Sequence, residues 1–337
     1  MSGSSYEGQS VLVTGATGFV GGHLVAHLLA QGARIKVLVR DPQRLPAAWR
    51  ERVQVCQGDL SHPVSLRDAV QGVGWVFHCA ANVQTWGSAE DYEAVNVQGL
   101  RNLLEALAPR ASDLQRFVHI STVDVYGFPK TACDEACAPK FPGFGYGDSK
   151  LRGELLLRDM APKLQLPYTV LRPANVMGPG SPFIERVGRE LRNGLMLRVS
   201  GGCADAGFLY VDNLIDTLLW AGLAPQAQHE VFNVVDPQPV TWRQLLEDLR
   251  QSIHGKGWII DMPYPLAAAA GTMLALPYRL LGSPREPLLH PLIVKIFGRT
   301  CGHRAAKLAA AGCPMGRVSY HQGMAESARW FMTTYGR

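Results

Sequence analysis

The sequence predicts an α/β fold, a doubly wound parallel sheet with a smaller, mostly helical C-terminal lobe. Three observations carry this. Short, continuously apolar runs rich in β-branched residues alternate with helical periodicity through the first half of the chain. The runs end in small or polar residues. After about Pro173 the beat weakens into Gly/Pro-rich loops and longer helical stretches. Continuously apolar strands need cover on both faces, which crossover helices on a parallel sheet supply.

The elements follow in order. Ser10–Thr14 is a strand running into glycines, and Gly22–Gln31 carries Leu24, Val25, Leu28 and Leu29 at helical spacing, stopped by Gly32. Ile35–Val39 and Val53–Cys56 read as the next strands, and Ser65–Val70 as a helix. Trp75–Cys79 is a fourth strand, Tyr92–Leu107 a long helix and Phe117–Ile120 a fifth strand. Tyr168–Leu171 and Val231–Val235 are strand-like. Residues 1–173 are expected to form the sheet domain and 174–337 a substrate lobe partly woven back into it.

Composition narrows the function classes. Of 337 residues 47% are apolar and 18% charged, as in a globular protein. The net charge of +5 comes from scattered Lys and Arg, with no stripe suited to a nucleic acid. Seven cysteines lack the paired spacing of a zinc site, so no metal is expected and reduced thiols point to the cytoplasm. Met1–Gly8 has no secretory pattern. The longest apolar stretch, Leu266–Leu276 within Pro263–Leu281, is too short and too interrupted to span a bilayer.

The most visible motif is Gly15-Ala16-Thr17-Gly18-Phe19-Val20-Gly21, a strand end opening directly into a helix. Gly15 and Gly18 let the backbone turn tightly, and Gly21 allows close helix–strand packing. The helix N-terminus offers amides and partial positive charge to a pyrophosphate. Gly15, Thr17, Gly18, Phe19 and Val20 are therefore candidate cofactor residues. An acidic residue at the end of the second strand would select NAD through the ribose hydroxyls. Arg40 stands there instead and can grip a 2′-phosphate, so NADP is preferred; Asp41 turned inward would favour NAD.

Tyr146 and Lys150 are four residues apart and share a face if their segment is helical. An ammonium beside a phenol stabilises the phenolate, making Tyr146 a proton donor or acceptor for carbonyl–alcohol interconversion. The hydroxyl pair Ser121-Thr122 follows the fifth strand, at the edge where a cofactor would lie.

These motifs, with Gly58-Asp59-Leu60, His78-Cys79-Ala80-Ala81, Asn96-Val97-Gln98-Gly99, Ser121 to Gly127, Arg172 to Pro179 and Tyr210 to Asn213, occur in order and spacing that resemble an extended short-chain dehydrogenase/reductase of Rossmann type. The resemblance covers nearly the whole chain. It implies that Asp59 and Leu60 flank the adenine, while Ala80 and Ala81 line the cofactor. Asn96 joins the cofactor residues, and Pro173, Asn175 and Val176 support the carboxamide. It also implies that Thr122, with Ser121 as runner-up, holds the substrate oxygen, that Tyr146 transfers the proton, and that Lys150 bonds the nicotinamide ribose. Asp59, Asn96 and Asp212 read equally well as caps or loop anchors. Family members are often dimers through helices corresponding to Tyr92–Leu107 and Tyr146–Arg158.

Within that family, dehydratases carry Asp-Glu after the catalytic threonine, where this chain has Val123-Asp124. Sugar-nucleotide epimerases place an arginine shortly before the Phe-x-Tyr-Val motif as a diphosphate clamp; here Gly201–Gly207 precedes Phe208 with no basic residue. Arg186, Arg189, Arg192 and Arg198 are the available substitutes. The third branch, similar to 3β-hydroxysteroid dehydrogenases and ketone reductases, fits Tyr210–Asn213 and the apolar segments Pro263–Leu281 and Leu288–Phe297. Those segments suit an apolar pocket or peripheral contact with a membrane surface; an ordinary core helix is the competing reading. The expected function is NAD(P)-dependent interconversion of a ketone and a secondary alcohol on a bulky, largely apolar small molecule. A nucleotide-sugar 4-epimerase or dehydratase and a non-catalytic NADP-binding sensor are the alternatives.

Overall fold

Parallel strands in the order β10-β6-β5-β4-β1-β2-β3 form a seven-stranded sheet in the computed structural model, which describes residues 5–336. They are β1 (Ser10–Thr14), β2 (Arg34–Val39), β3 (Val53–Gln57), β4 (Trp75–His78), β5 (Arg116–Ile120), β6 (Tyr168–Pro173) and β10 (Glu230–Val234). The remaining strands pair separately: β7 (Asn175–Met177) with β9 (Phe208–Tyr210), and β8 (Leu195–Val199) with β11 (Trp258–Met262). From β1 the chain steps outward through β2 and β3, then returns to the other side of β1 at β4. The crevice between the carboxyl ends of β1 and β4 is therefore a topological switch point.

Alternation along the strands fills a core on each face. Val11 and Val13 point toward α1 (Phe19–Ala30), while Leu12 points the other way, to the layer containing α2 (Arg67–Val70). That second layer continues through α3 (Ala89–Glu93), the π-helical turn Ala94–Gln98, α4 (Gly99–Leu107) and α5 (Gly145–Lys163). The expected helix from Tyr92 is thus three pieces, and its wide turn carries Asn96 into the interior. Only the last turn of the expected helix at Ser65–Val70 is α-helical. The first helix begins at Phe19 and not Gly22, so its N-terminus lies directly on the glycine turn.

The lobe holds α6 (Pro182–Asn193), α8 (Trp242–Ser252), α9 (Tyr264–Leu280), α10 (Pro291–Gly298) and α12 (Tyr320–Tyr335), around a core of Trp242, Phe208, Tyr210 and Phe331. The helix α7 (Val211–Leu223) returns to pack on α1 and β5, and α11 (Ala306–Ala310) packs on β10. Pro263–Leu281 is not the core helix that its apolarity allowed. α9 buries only Ala267, Gly271 and Ala275 and leaves its large aliphatic side chains in solvent. Among the described residues no helix is long and apolar enough to cross a membrane.

Candidate active site

The glycine turn is shaped by close approach. Gly15 has φ +72°, and a Cβ there would sit 2.7 Å from the Ala80 nitrogen, whereas one on Gly21 would sit 2.2 Å from the Gly15 oxygen. Side chains at either place would push β1, α1 and the loop after β4 apart. Gly18 caps α1 with no side-chain acceptor, and no acidic residue stands in the first turn. The amides of Phe19 and Val20 are thus open to an anion, and the cradle fits a dinucleotide pyrophosphate.

Arg40 is exposed at the end of β2. Asp41 does not turn inward: its carboxylate accepts the Gln43 N–H at 2.9 Å and caps the following turn. Asp59 is likewise held locally, accepting from the Ser61 amide and hydroxyl at 2.8 Å. Burial opposes its charge, but these bonds and nearby Arg40 keep the carboxyl below its usual range. Leu60 is buried, with its carbonyl accepting from Asn102. Ala80 and Ala81 are half-buried beyond β4, where Thr14 Oγ1 receives the Ala80 N–H and meets His78 Nδ1 at 2.9 Å.

Asn96 is an anchor. Its Oδ1 accepts the Asn82 N–H at 2.7 Å and its Nδ2 donates to the Asn82 carbonyl and to Ser149 Oγ, which in turn donates to the Tyr146 carbonyl. One side chain therefore ties the loop after β4 to the turn of α5 carrying Tyr146. Pro173 ends β6 buried, while the Asn175 amide donates to the Ala206 carbonyl and Val176 remains half-buried. Asp212 accepts from His23 at 3.2 Å and thereby fastens α7 to α1.

Tyr146, Lys150, Thr122 and Ser121 converge beyond β5. The two hydroxyls are not equivalent. Ser121 Oγ donates to Glu154 Oε2 at 3.1 Å, beneath the sheet edge, whereas Thr122 Oγ1 accepts the Asp124 N–H at 3.2 Å and acts on the Tyr146 phenol, favouring its ionised form. Glu154 is buried with Arg172, whose guanidinium donates to both carboxylate oxygens and to the Tyr126 hydroxyl. Lys150 Nζ donates to the Ile120 carbonyl.

The electrostatics correct one expectation. Lys150 does not draw Tyr146 toward neutrality among the protein's own groups. Burial raises the phenol's pKa, the Asp124 carboxyl adds to the rise, and the Thr122 hydrogen bond offsets only part. Burial also lowers Lys150 to about 8, against the pull of Cys79 and Glu154, and raises Asp124 to about 7. The Asp124 carboxyl is the acid–base group the motifs left without a role. Also unforeseen is a stacked pair, His78 and His119, 5.4 Å apart, kept neutral by burial and by Lys150. Both His119 nitrogens are buried without a partner among the described residues. Their only sequence signal is a histidine inside each of two adjacent apolar strands.

The sequence pattern of the NAD dependent epimerase/dehydratase family matches residues 11–234. The chain belongs to that family. Its fold and motif order make it an extended short-chain dehydrogenase/reductase, and it is an oxidoreductase that uses a nicotinamide dinucleotide. The chain is 28% identical over 307 residues to the 2-alkyl-3-oxoalkanoate reductase of Shewanella oneidensis, covering 86% of this chain and 78% of that one. It is also 28% identical over 307 residues to the N-acetyl-alpha-D-glucosaminyl-diphospho-ditrans,octacis-undecaprenol 4-epimerase of Escherichia coli O157:H7, covering 90% and 89%. UDP-glucose 4-epimerase of Thermus thermophilus, solved with NAD, shares the fold with a TM-score of 0.73 at 23% identity over 96% of this chain and 99% of that one. Among the described residues no cluster of His, Cys, Asp and Glu could hold a metal.

Proposed function

We propose that this family member interconverts a ketone and a secondary alcohol on a bulky, largely apolar substrate, with NADP as the preferred dinucleotide. The observation that carries the substrate class is the fate of the lobe's arginines. Arg186 pairs with Glu190 and Glu286, Arg189 with Glu185, and Arg198 with Glu247 and Asp261. Arg192 donates to the carbonyls of Tyr335 and Gly336. Each of these four substitute clamps is thus committed to the chain itself, and Gly201–Gly207 adds none, so none of them is free to answer a nucleotide diphosphate. The name of the Shewanella relative supports a ketone substrate. That of the Escherichia relative favours the second reading, an epimerase.

Bound in the glycine cradle, the reduced dinucleotide would supply a hydride to the ketone carbon, and the oxidised one would accept it from the alcohol carbon. Tyr146 gives or takes the oxygen's proton, Thr122 polarises that oxygen, and Lys150, charged below about pH 8 and held on the Ile120 carbonyl, is assigned to the nicotinamide ribose. Ser121 and Glu154 hold the strand end that presents Thr122. Arg40 is assigned to the 2′-phosphate, with Asp59, Leu60, Ala80, Ala81, Pro173, Asn175 and Val176 along the cofactor and Asn96 as support. Free thiols at all seven cysteines suit the cytoplasm, and the face of α4 and α5 is the proposed homodimer contact.

Purified protein assayed with NADPH and branched long-chain 3-oxo compounds is expected to turn over. Tyr146→Phe is expected to lower kcat by about a hundredfold to ten-thousandfold. Arg40→Ala is expected to weaken NADPH about tenfold while leaving NADH unchanged. Thermal stabilisation by UDP or dTDP, with bound NAD and no ketone turnover, would replace this reading with the epimerase.

A further inference from the structure

The surface of α9 reverses the usual order of a soluble helix. Its buried face is a row of small residues four apart, Ala267, Gly271 and Ala275, which lets it lie closely on α10. Its outward faces and the turn beyond carry Leu266 (61% exposed), Met273 (74%), Leu280 (78%), Leu281 (82%) and Leu288 (71%). Amphipathic helices at a protein surface turn such side chains inward. Large apolar side chains this exposed along one helix and its following turn mark an interaction surface.

Charge says what covers it. Between Met262 and Thr300 the only acidic residue is Glu286, against Arg279, Arg285, Lys295 and Arg299. Glu286 is paired with Arg186 and also hydrogen-bonds to His290 and Thr85, so its charge is already answered within the chain. Arg279 and Arg285 are exposed beside the protruding leucines, with the Arg279 guanidinium resting on the Trp86 ring. Aliphatic side chains flanked by unneutralised arginines match an anionic bilayer surface, where the leucines enter the acyl boundary and the arginines meet headgroups. A second copy of the chain fits poorly, because a two-fold contact would set these same arginines against each other.

We infer that α9 and its following turn dock this enzyme onto anionic lipid bilayers. The surface is joined to the active site. The Trp86 indole N–H donates to the Ser283 carbonyl at 3.0 Å and the Thr85 hydroxyl to Glu286 at 2.6 Å, so the turn after α9 is clipped to the loop after β4. That loop is the one Asn96 ties to Tyr146. The docked face therefore lies next to the site, and an apolar substrate reaches it from the membrane; this last step rests on the substrate class proposed above, whereas the docking does not.

The test is flotation of the full chain with vesicles of phosphatidylcholine alone, or of two parts phosphatidylcholine to one part phosphatidylglycerol. Binding to the phosphatidylglycerol vesicles is expected. It should fall more than tenfold in Leu280→Glu/Leu281→Glu and about fivefold for each of Arg279→Gln and Arg285→Gln. Oligomeric state by light scattering and NADPH affinity should stay unchanged in all three. Absence of binding, or equal binding by the leucine variant, overturns the inference. A change of oligomeric state in that variant without vesicle binding assigns the surface to a second copy and overturns it too. Vesicle binding by a protein that turns over no ketone leaves the docking intact and removes only the substrate reading.

Discussion

At the scale of single residues, the site is governed by charges that burial makes costly. The charge of buried Asp124 opposes ionisation of the Tyr146 phenol, and burial pushes its own carboxyl up to about 7 from the ordinary value of 3.8. A carboxyl raised on folding keeps its proton more tightly in the folded state. Its contribution is fully present below about pH 4 and is lost as pH rises through about 7. Asp124→Asn should therefore leave stability unchanged at pH 4 and raise it at pH 8, by at most about 4 kcal/mol. Urea titrations at the two pH values check this, and equal shifts at both would contradict it. The same substitution removes a charge that opposes Tyr146 ionisation, so a pH–rate limb near 7 is expected in the unsubstituted chain and should be missing from the variant. The buried pair Glu154–Arg172 has the opposite character, since each charge answers the other. Glu154→Gln leaves a guanidinium uncompensated and should cost about 3–5 kcal/mol in the same titration.

At the scale of elements, the glycine turn and α9 are both defined by how closely backbones approach. In the turn the approach serves a ligand. Gly15→Ala adds a Cβ at positive φ and within 2.7 Å of the Ala80 nitrogen. The strain alone is about 1–2 kcal/mol, and widening the cradle should weaken NADPH at least tenfold by fluorescence titration; unchanged affinity would remove the turn from the cofactor site. In α9 the small residues serve packing and release the large ones to the surface. The π-helical turn at Ala94–Gln98 is a third case, where one wide turn places Asn96 between the loop after β4 and α5.

At the scale of the whole molecule, the two halves of the chain share one core. One cluster joins Val11, Val37 and Phe77 to Leu214, Leu218, Phe232 and Leu308. Tyr6 donates to the Leu219 carbonyl, and Arg116 reaches the carbonyls of Ala221 and Ala224. Removing either half exposes the apolar side of the other, so unfolding should be a single transition. Urea curves by far-ultraviolet circular dichroism and by tryptophan fluorescence are expected to coincide, and separated midpoints would contradict this.

What the sequence determined by itself was whatever is written locally. The strands and most helices of the first half follow from apolar runs and periodicity, and the glycine turn from residues that only a tight approach requires. The Tyr146–Lys150 spacing survives because a helix fixes it. The tertiary structure decided what depends on distant partners. Ser121 and Thr122 are adjacent and chemically alike, yet Glu154 claims one and leaves the other to face Tyr146. Asp41 was free to turn inward until the Gln43 amide took it. The His78–His119 stack exists because β4 and β5 are neighbours, and the direction of the Tyr146 shift depends on Asp124 and burial together. The apolarity of Pro263–Leu281 was plain from composition, but its exposure was not, since hydropathy counts side chains and only packing chooses which of them meet water.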